Sequence, residues 1–194
     1  GALEHLKEWP DELTFALEKL SKEISLKLIV VYNKSLGNWS KPNINIEEYD
    51  WTLEEMIKQM SSVDIGLVPS LRKNNFFSGI NILKKYLLKL TTTSPSSTKN
   101  DYVIQYKNTT NNGRALVFHE LKVPVVADFS PENFIINGDS DCGYLAKSVD
   151  GWYNAIKALA TDEKKRKRIS NNAFTRFSQL YDKKKITEKF AEEL

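Results

Sequence analysis

"NNGRALVFHELKVPVVADFSPENFIINGDSDCGYLA", from Asn111 to Ala146, holds an apolar-periodic helix, a valine-rich strand, a second short helix and a glycine turn in one run. The helix is expected from Gly113 to Leu121, with Asn111 and Asn112 as its polar start. "VPVVAD" follows without polar alternation, the pattern of a strand covered on both faces and therefore of a parallel sheet. Ser130 is placed to cap a helix from Pro131 to Ile136, with proline at its first position. "GYLA", at 143–146, is the next short strand. Strands that end in polar, turn-forming mouths such as "ADFSPEN" put a ligand site at their carboxyl ends.

Upstream, the same alternation appears. "EWPDELTFALEKLSKEI" carries Leu13, Leu17, Leu20 and Ile24 at steps of three and four, an amphipathic helix with Pro10 at its first position. "LKLIVVYN" is a nearly continuous apolar run, expected as a strand covered on both faces. "NINIEEYDW" predicts a second strand, and Thr52 with Glu55 has capping-box spacing for a helix over "TLEEMIKQM". "VDIGLVPS" is a third buried strand. Downstream, Trp152, Tyr153, Ile156 and Leu159 predict a helix packed beneath the last strand, and a helical tail covers about 163–194.

Between them the rhythm breaks. A regular α/β unit needs only a few residues where this chain spends about 72–107, including the polar run "TTTSPSSTKN" and a candidate extra strand "DYVIQY". This stretch is expected to be an insertion in a single Rossmann-like α/β domain over 1–194, a parallel sheet with helices on both faces.

The composition is that of an ordinary globular chain: 194 residues, 41% hydrophobic and 27% charged, with a formal charge of +3. That charge is well short of the density needed to grip a phosphate backbone, so nucleic acid is not the expected partner. Cys142 is the only cysteine, which excludes an intrachain disulfide and fits a reducing cytoplasmic compartment. No apolar run approaches the ~20 residues of a membrane span. With two histidines in the chain, a His-rich metal site is not expected, and no hydrolase signature occurs.

Three stretches in order, "SSVDIGLVPS", "GRALVFHELKVPVVAD" and "NGDSDCGYLAKSVDGWYNAIKALATDEKKRKRISNNAFTRFSQLY", resemble the C-terminal, donor-binding domain of GT-B glycosyltransferases of the retaining family 4 type. Pro69 and Ser70, Val123 to Ala127, Gly143 to Leu145, Trp152, and Asp162 with Arg168 carry the likeness. Lys122 stands where the family has a small residue, in Gly-x-Pro-Val-Val. Thr109 and Val117 stand where many members have a glutamate pair, and "YKNTTNNGR" resembles the variant without it through Lys107 and Arg114.

The resemblance implies one half of a GT-B fold, binding a nucleotide diphosphate sugar as donor substrate with no metal or other cofactor. It implies a partner half, an acceptor domain of the same protein, and an isolated half that does not turn over. The implied donor contacts are Ser70, Lys107, Asn111, Asn112, Gly113, Arg114 and Asp128. The start of the 113–121 helix suits a diphosphate because unsatisfied N–H groups and the positive end of the helix dipole converge there, and Arg114 can add a charge-assisted bond. Plainer roles stand beside these: a polar cap for the helix start, a common turn for Pro69 and Ser70, and a structural or surface place for His119. "EKKRKR" is expected to be a solvated face, with contact to the inner face of an anionic membrane as the minority alternative. The alternative to a transferase domain is a non-catalytic Rossmann-like binding or assembly module, which the two non-acidic positions favour.

Overall fold

In β4 (Val125–Asp128) every residue is buried, and its side chains point alternately into two different cores. Val126 packs into a cluster built with Leu13, Leu17, Leu20, Trp152, Ile156, Leu159 and Ile169. Val125 and Ala127 pack into another, with Val68, Ala115, Phe118, Val123 and Ile136. Successive strand residues face opposite sides of a sheet, so β4 carries helices on both faces, and this is why its sequence shows no polar alternation.

The computed structural model describes Leu6 and residues 9–69, 113–138, 141–182, 187, 188, 190 and 191. The element order is α1 (Asp11–Leu20), β1 (Lys27–Tyr32), a 3₁₀ turn (Lys34–Leu36), β2 (Asn45–Asp50), α2 (Leu53–Ser61), β3 (Gly66–Val68), α3 (Gly113–Glu120), β4, α4 (Pro131–Asn137), β5 (Tyr144–Ala146), α5 (Val149–Ala160) and α6 (Glu163–Leu180). The described residues form a mixed α/β fold of two parallel sheets flanked by helices, compatible with a Rossmann-like arrangement. The expected insertion at about 72–107, with "DYVIQY", lies outside the described residues.

Among the described residues the strands form two ladders, β1–β2 and β3–β4–β5. They share a core nonetheless, since Leu28 of β1 and Leu67 of β3 pack against the same cluster. The expectation that "LKLIVVYN" is covered on both faces is corrected: Val30 and Tyr32 are buried, while Lys27 is exposed and Leu28, Ile29 and Val31 are half-buried. Pro10 is also shifted by one place, serving as the N-cap of α1 rather than its first residue.

Capping chemistry sets the helix starts. Thr52, Ser130, Ser148 and Asp162 each accept the backbone N–H three residues on, at 3.0, 3.1, 3.1 and 2.9 Å. Trp152 and Leu159 are fully buried between α1 and the sheet; each such side chain is worth about 2–3 kcal/mol of transfer free energy. α6, about 27 Å long at 1.5 Å per residue, enters this core at Ile169, and farther along its Phe174 ring lies 4.5 Å from the ammonium of Lys122, just past the end of α3. Among the described residues no helix is long and apolar enough to cross a membrane.

Candidate functional site at the ends of β3 and β4

The short β3 gains its close cover from a glycine. A Cβ on Gly66 would lie 2.6 Å from the Phe118 ring, so only glycine lets α3 settle this low on the strand. That contact brings the start of α3 to the carboxyl end of β3. Arg114, in the first turn of α3, reaches across and its Nη2 donates to the Pro69 carbonyl at 3.3 Å. Val68 pairs with Ala127 in the parallel ladder, so Pro69 and Asp128, the next residues on each strand, leave the sheet side by side.

Three of the expected donor contacts, Gly113, Arg114 and Asp128, therefore come together at one sheet edge. Ser70, Lys107, Asn111 and Asn112 lie outside the described residues. Asp128 is 5% exposed, and its carboxylate accepts the Phe129 N–H at 3.0 Å while its backbone carbonyl accepts Asn133 Nδ2 at 2.8 Å. The strand end is thus a fixed corner, and Gly113 is exposed beside it at the helix start.

The structure places two arginines and corrects the expectation for one of them. Arg114 is half-buried, its Nε has no hydrogen-bond partner among the described residues, and burial lowers its pKa. It ties α3 to β3 and still has donors to spare, since a guanidinium carries five N–H groups and the Pro69 carbonyl takes one. Arg166 in "EKKRKR" is not on a solvated face. Its Nη1 donates to the Leu159 and Ala160 carbonyls at 2.8 and 3.1 Å, closing the end of α5, and Nη2 lies 3.4 Å from Asp64.

Two features of this edge were not singled out from the sequence. Phe129 and Phe134 are 57% and 52% exposed, with ring centroids 6.4 Å apart, beside the Asp128 corner. Their signal was a phenylalanine in a strand-exit turn, where small polar residues are the norm. The other is the burial of His119, Asn133 and Asn137, to which a polar letter in an amphipathic pattern gives no clue.

Among the described residues no group of three His, Cys, Asp or Glu is placed to hold a metal ion. Comparison of the chain with protein-family models and with the sequences of characterised proteins gives no match.

Proposed function

We propose that this chain is the donor-binding half of a retaining GT-B glycosyltransferase and that a nucleotide diphosphate sugar lies across the ends of β3 and β4. The observation that supports this most is the meeting of the Arg114 guanidinium and the start of α3 with the exits of β3 and β4, at Pro69 and Asp128. Helix-start N–H groups and a partly desolvated guanidinium offer the departing diphosphate hydrogen bonds and positive charge, an electrostatic stabilisation that needs no metal. Lys107 is proposed to add a second charge. The acceptor, glycan or lipid-linked, is assigned to a partner half of the same protein acting in the cytoplasm or at the inner membrane face.

A second reading has its own observation. Val117, one of the two positions where many family members carry glutamate, is an apolar residue on α3. A non-catalytic Rossmann-like binding or assembly module fits that substitution.

Titration with uridine or guanosine diphosphate, followed by NMR, tests the site. Shifts are expected at Gly113, Arg114 and Phe129, and Arg114→Ala should weaken binding by about 1.5–3 kcal/mol, the scale of a hydrogen bond to a charged group. Because the Pro69 tie is lost as well, a stability loss of about 1 kcal/mol should accompany it. Unchanged affinity in Arg114→Ala, or shifts confined to the β1–β2 sheet, would remove the proposed site. Binding without sugar transfer when both halves are joined would favour the second reading.

A further inference from the structure

Behind the Asp128 corner lies a buried polar cluster that donor binding does not use. His119 on α3 and Asn137 on α4 are each 1% exposed. His119 Nε2, Asn137 Oδ1 and Arg176 Nε on α6 are all buried without a hydrogen-bond partner among the described residues. From Asn137 a ladder runs to the strand end: its Nδ2 donates to the Asn133 carbonyl at 2.8 Å, and Asn133 Nδ2 donates to the Asp128 carbonyl at 2.8 Å. Arg176 Nη2 donates to the Ile135 carbonyl at 2.9 Å, gripping α4 from the other side. The cluster is closely fitted, since a Cβ on Gly143 would stand 2.4 Å from Asn137 Oδ1.

A neutral imidazole can stay in such a place, but an imidazolium would be buried there within reach of the Arg176 charge. We propose that this cluster is an acid-sensitive latch, in which protonation of His119 releases α4 and the Asp128 end of β4 from α3 while the core around Trp152 stays closed. The charged and titratable groups on the surrounding elements include Arg114 and Glu120 on α3, Lys122 at its end, Asp128 and Glu132 where β4 passes into α4, Asp141 and the buried Cys142 before β5, and on α6 Arg176 together with the charged run from Glu163 to Arg168. Burial lowers the His119 pKa to about 4, the Asn137 amide opposes this, and the Arg176 charge adds to it. Opening lets water reach the ring, which takes up a proton there, and the open form is held by that protonation. The latch does not depend on what the site binds.

Hydrogen exchange of the chain between pH 7 and pH 5, corrected for the intrinsic exchange rate, tests the latch. With His119 near 4 when closed and near ~6.5 when open, linkage makes opening about twentyfold more frequent at pH 5. Protection of the Phe134 and Gly138 amides, which bond to the Ser130 and Phe134 carbonyls, should fall by that factor while the Trp152 amide holds. His119→Gln should flatten the response. Should that variant not fold, NMR titration of the His119 ring replaces it, and the ring is expected to titrate in step with α4 exchange. Flat α4 protection, an equal fall in His119→Gln, a fall shared by every amide, or a ring titrating near ~6.5 with α4 still protected would each overturn the latch.

Discussion

Glu48 on β2 and His119 on α3 each stand at the centre of a polar cluster, and the two clusters are built on opposite terms. Glu48 keeps its charge. Its Oε1 accepts from Tyr32 Oη at 3.1 Å and Trp39 Nε1 at 3.0 Å, and its Oε2 from Lys41 Nζ at 2.6 Å. The Lys41 ammonium holds the carboxyl below its ordinary value, against the pull of partial burial. His119, sealed beneath α4, gives its charge up. The difference follows from solvent and partners: an ion survives partial burial where its lone pairs are filled, and where they are not the group neutralises instead. The β1–β2 region is thus pinned by a salt bridge, while the β3–β4 edge rests on a neutral ring.

Acid should pull the two regions apart in sequence. A base whose folded pKa is lowered contributes stability that is complete above its unfolded value, near ~6.5, and lost as pH falls toward the folded one. A carboxyl held low contributes stability that is lost only below the ordinary carboxylate value of 4.5. Denaturant melts should therefore lose about 3 kcal/mol between pH 7 and pH 4 on account of His119, with most of it regained in the difference between wild type and His119→Gln. A chain whose stability is flat across that window would mean that His119 is reached by solvent in the folded state. In Gly143→Ala the added methyl must displace Asn137 and also meets the Val125 carbonyl at 3.1 Å. That overpacking should cost about 2–3 kcal/mol at neutral pH.

In the other region, Glu48→Ala would leave the Tyr32 hydroxyl and the Trp39 indole N–H, both in side chains less than 8% exposed, without their acceptor. A loss of about 2 kcal/mol is expected, whereas Glu48→Gln, which keeps an acceptor oxygen and forfeits only the lysine pair, should lose about 1 kcal/mol or less. Equal losses would show that the charge, and not the hydrogen bonds, holds this cluster.

What could be seen in the sequence was what is local. Unalternating "VPVVAD" announced a strand covered on both faces, and Thr52 and Ser130 announced helix starts because a cap acts within three residues. The joining of Arg114 to Pro69 and of Arg166 to the end of α5 spans elements, and a charged letter reads the same whether solvated or tied down. The break between β2–β1 and β3–β4–β5 was invisible for the same reason, because ladder pairing is decided by neighbours remote in sequence. At the candidate site, Gly113, Arg114 and Asp128 come to the strand ends through contacts between elements, and the buried asparagines beneath them carry no pattern of their own.

Lys122 gives the smallest and most local test. α3 ends with the Val123 N–H bonding the Phe118 carbonyl at 2.9 Å and the Lys122 N–H bonding the His119 carbonyl at 3.1 Å, the paired bonds of a left-handed helix stop. Phe118 and Val123 pack in one cluster across it, and Lys122 holds φ at 56°, a conformation that glycine adopts without penalty. Lysine thus stands in a turn that favours glycine, and it recovers part of the cost through its contact with Phe174. Lys122→Ala would keep the left-handed strain and discard that contact. Lys122→Gly would discard the contact and relieve the strain, with some loss to the flexibility of the unfolded chain. The glycine variant should thus exceed the alanine variant by about 1 kcal/mol in denaturant melts, with the lysine protein between them. A lysine protein more stable than both would mean that the ammonium contact on α6 outweighs the turn, and that the stop of α3 is set by its packing against α6 rather than by its backbone.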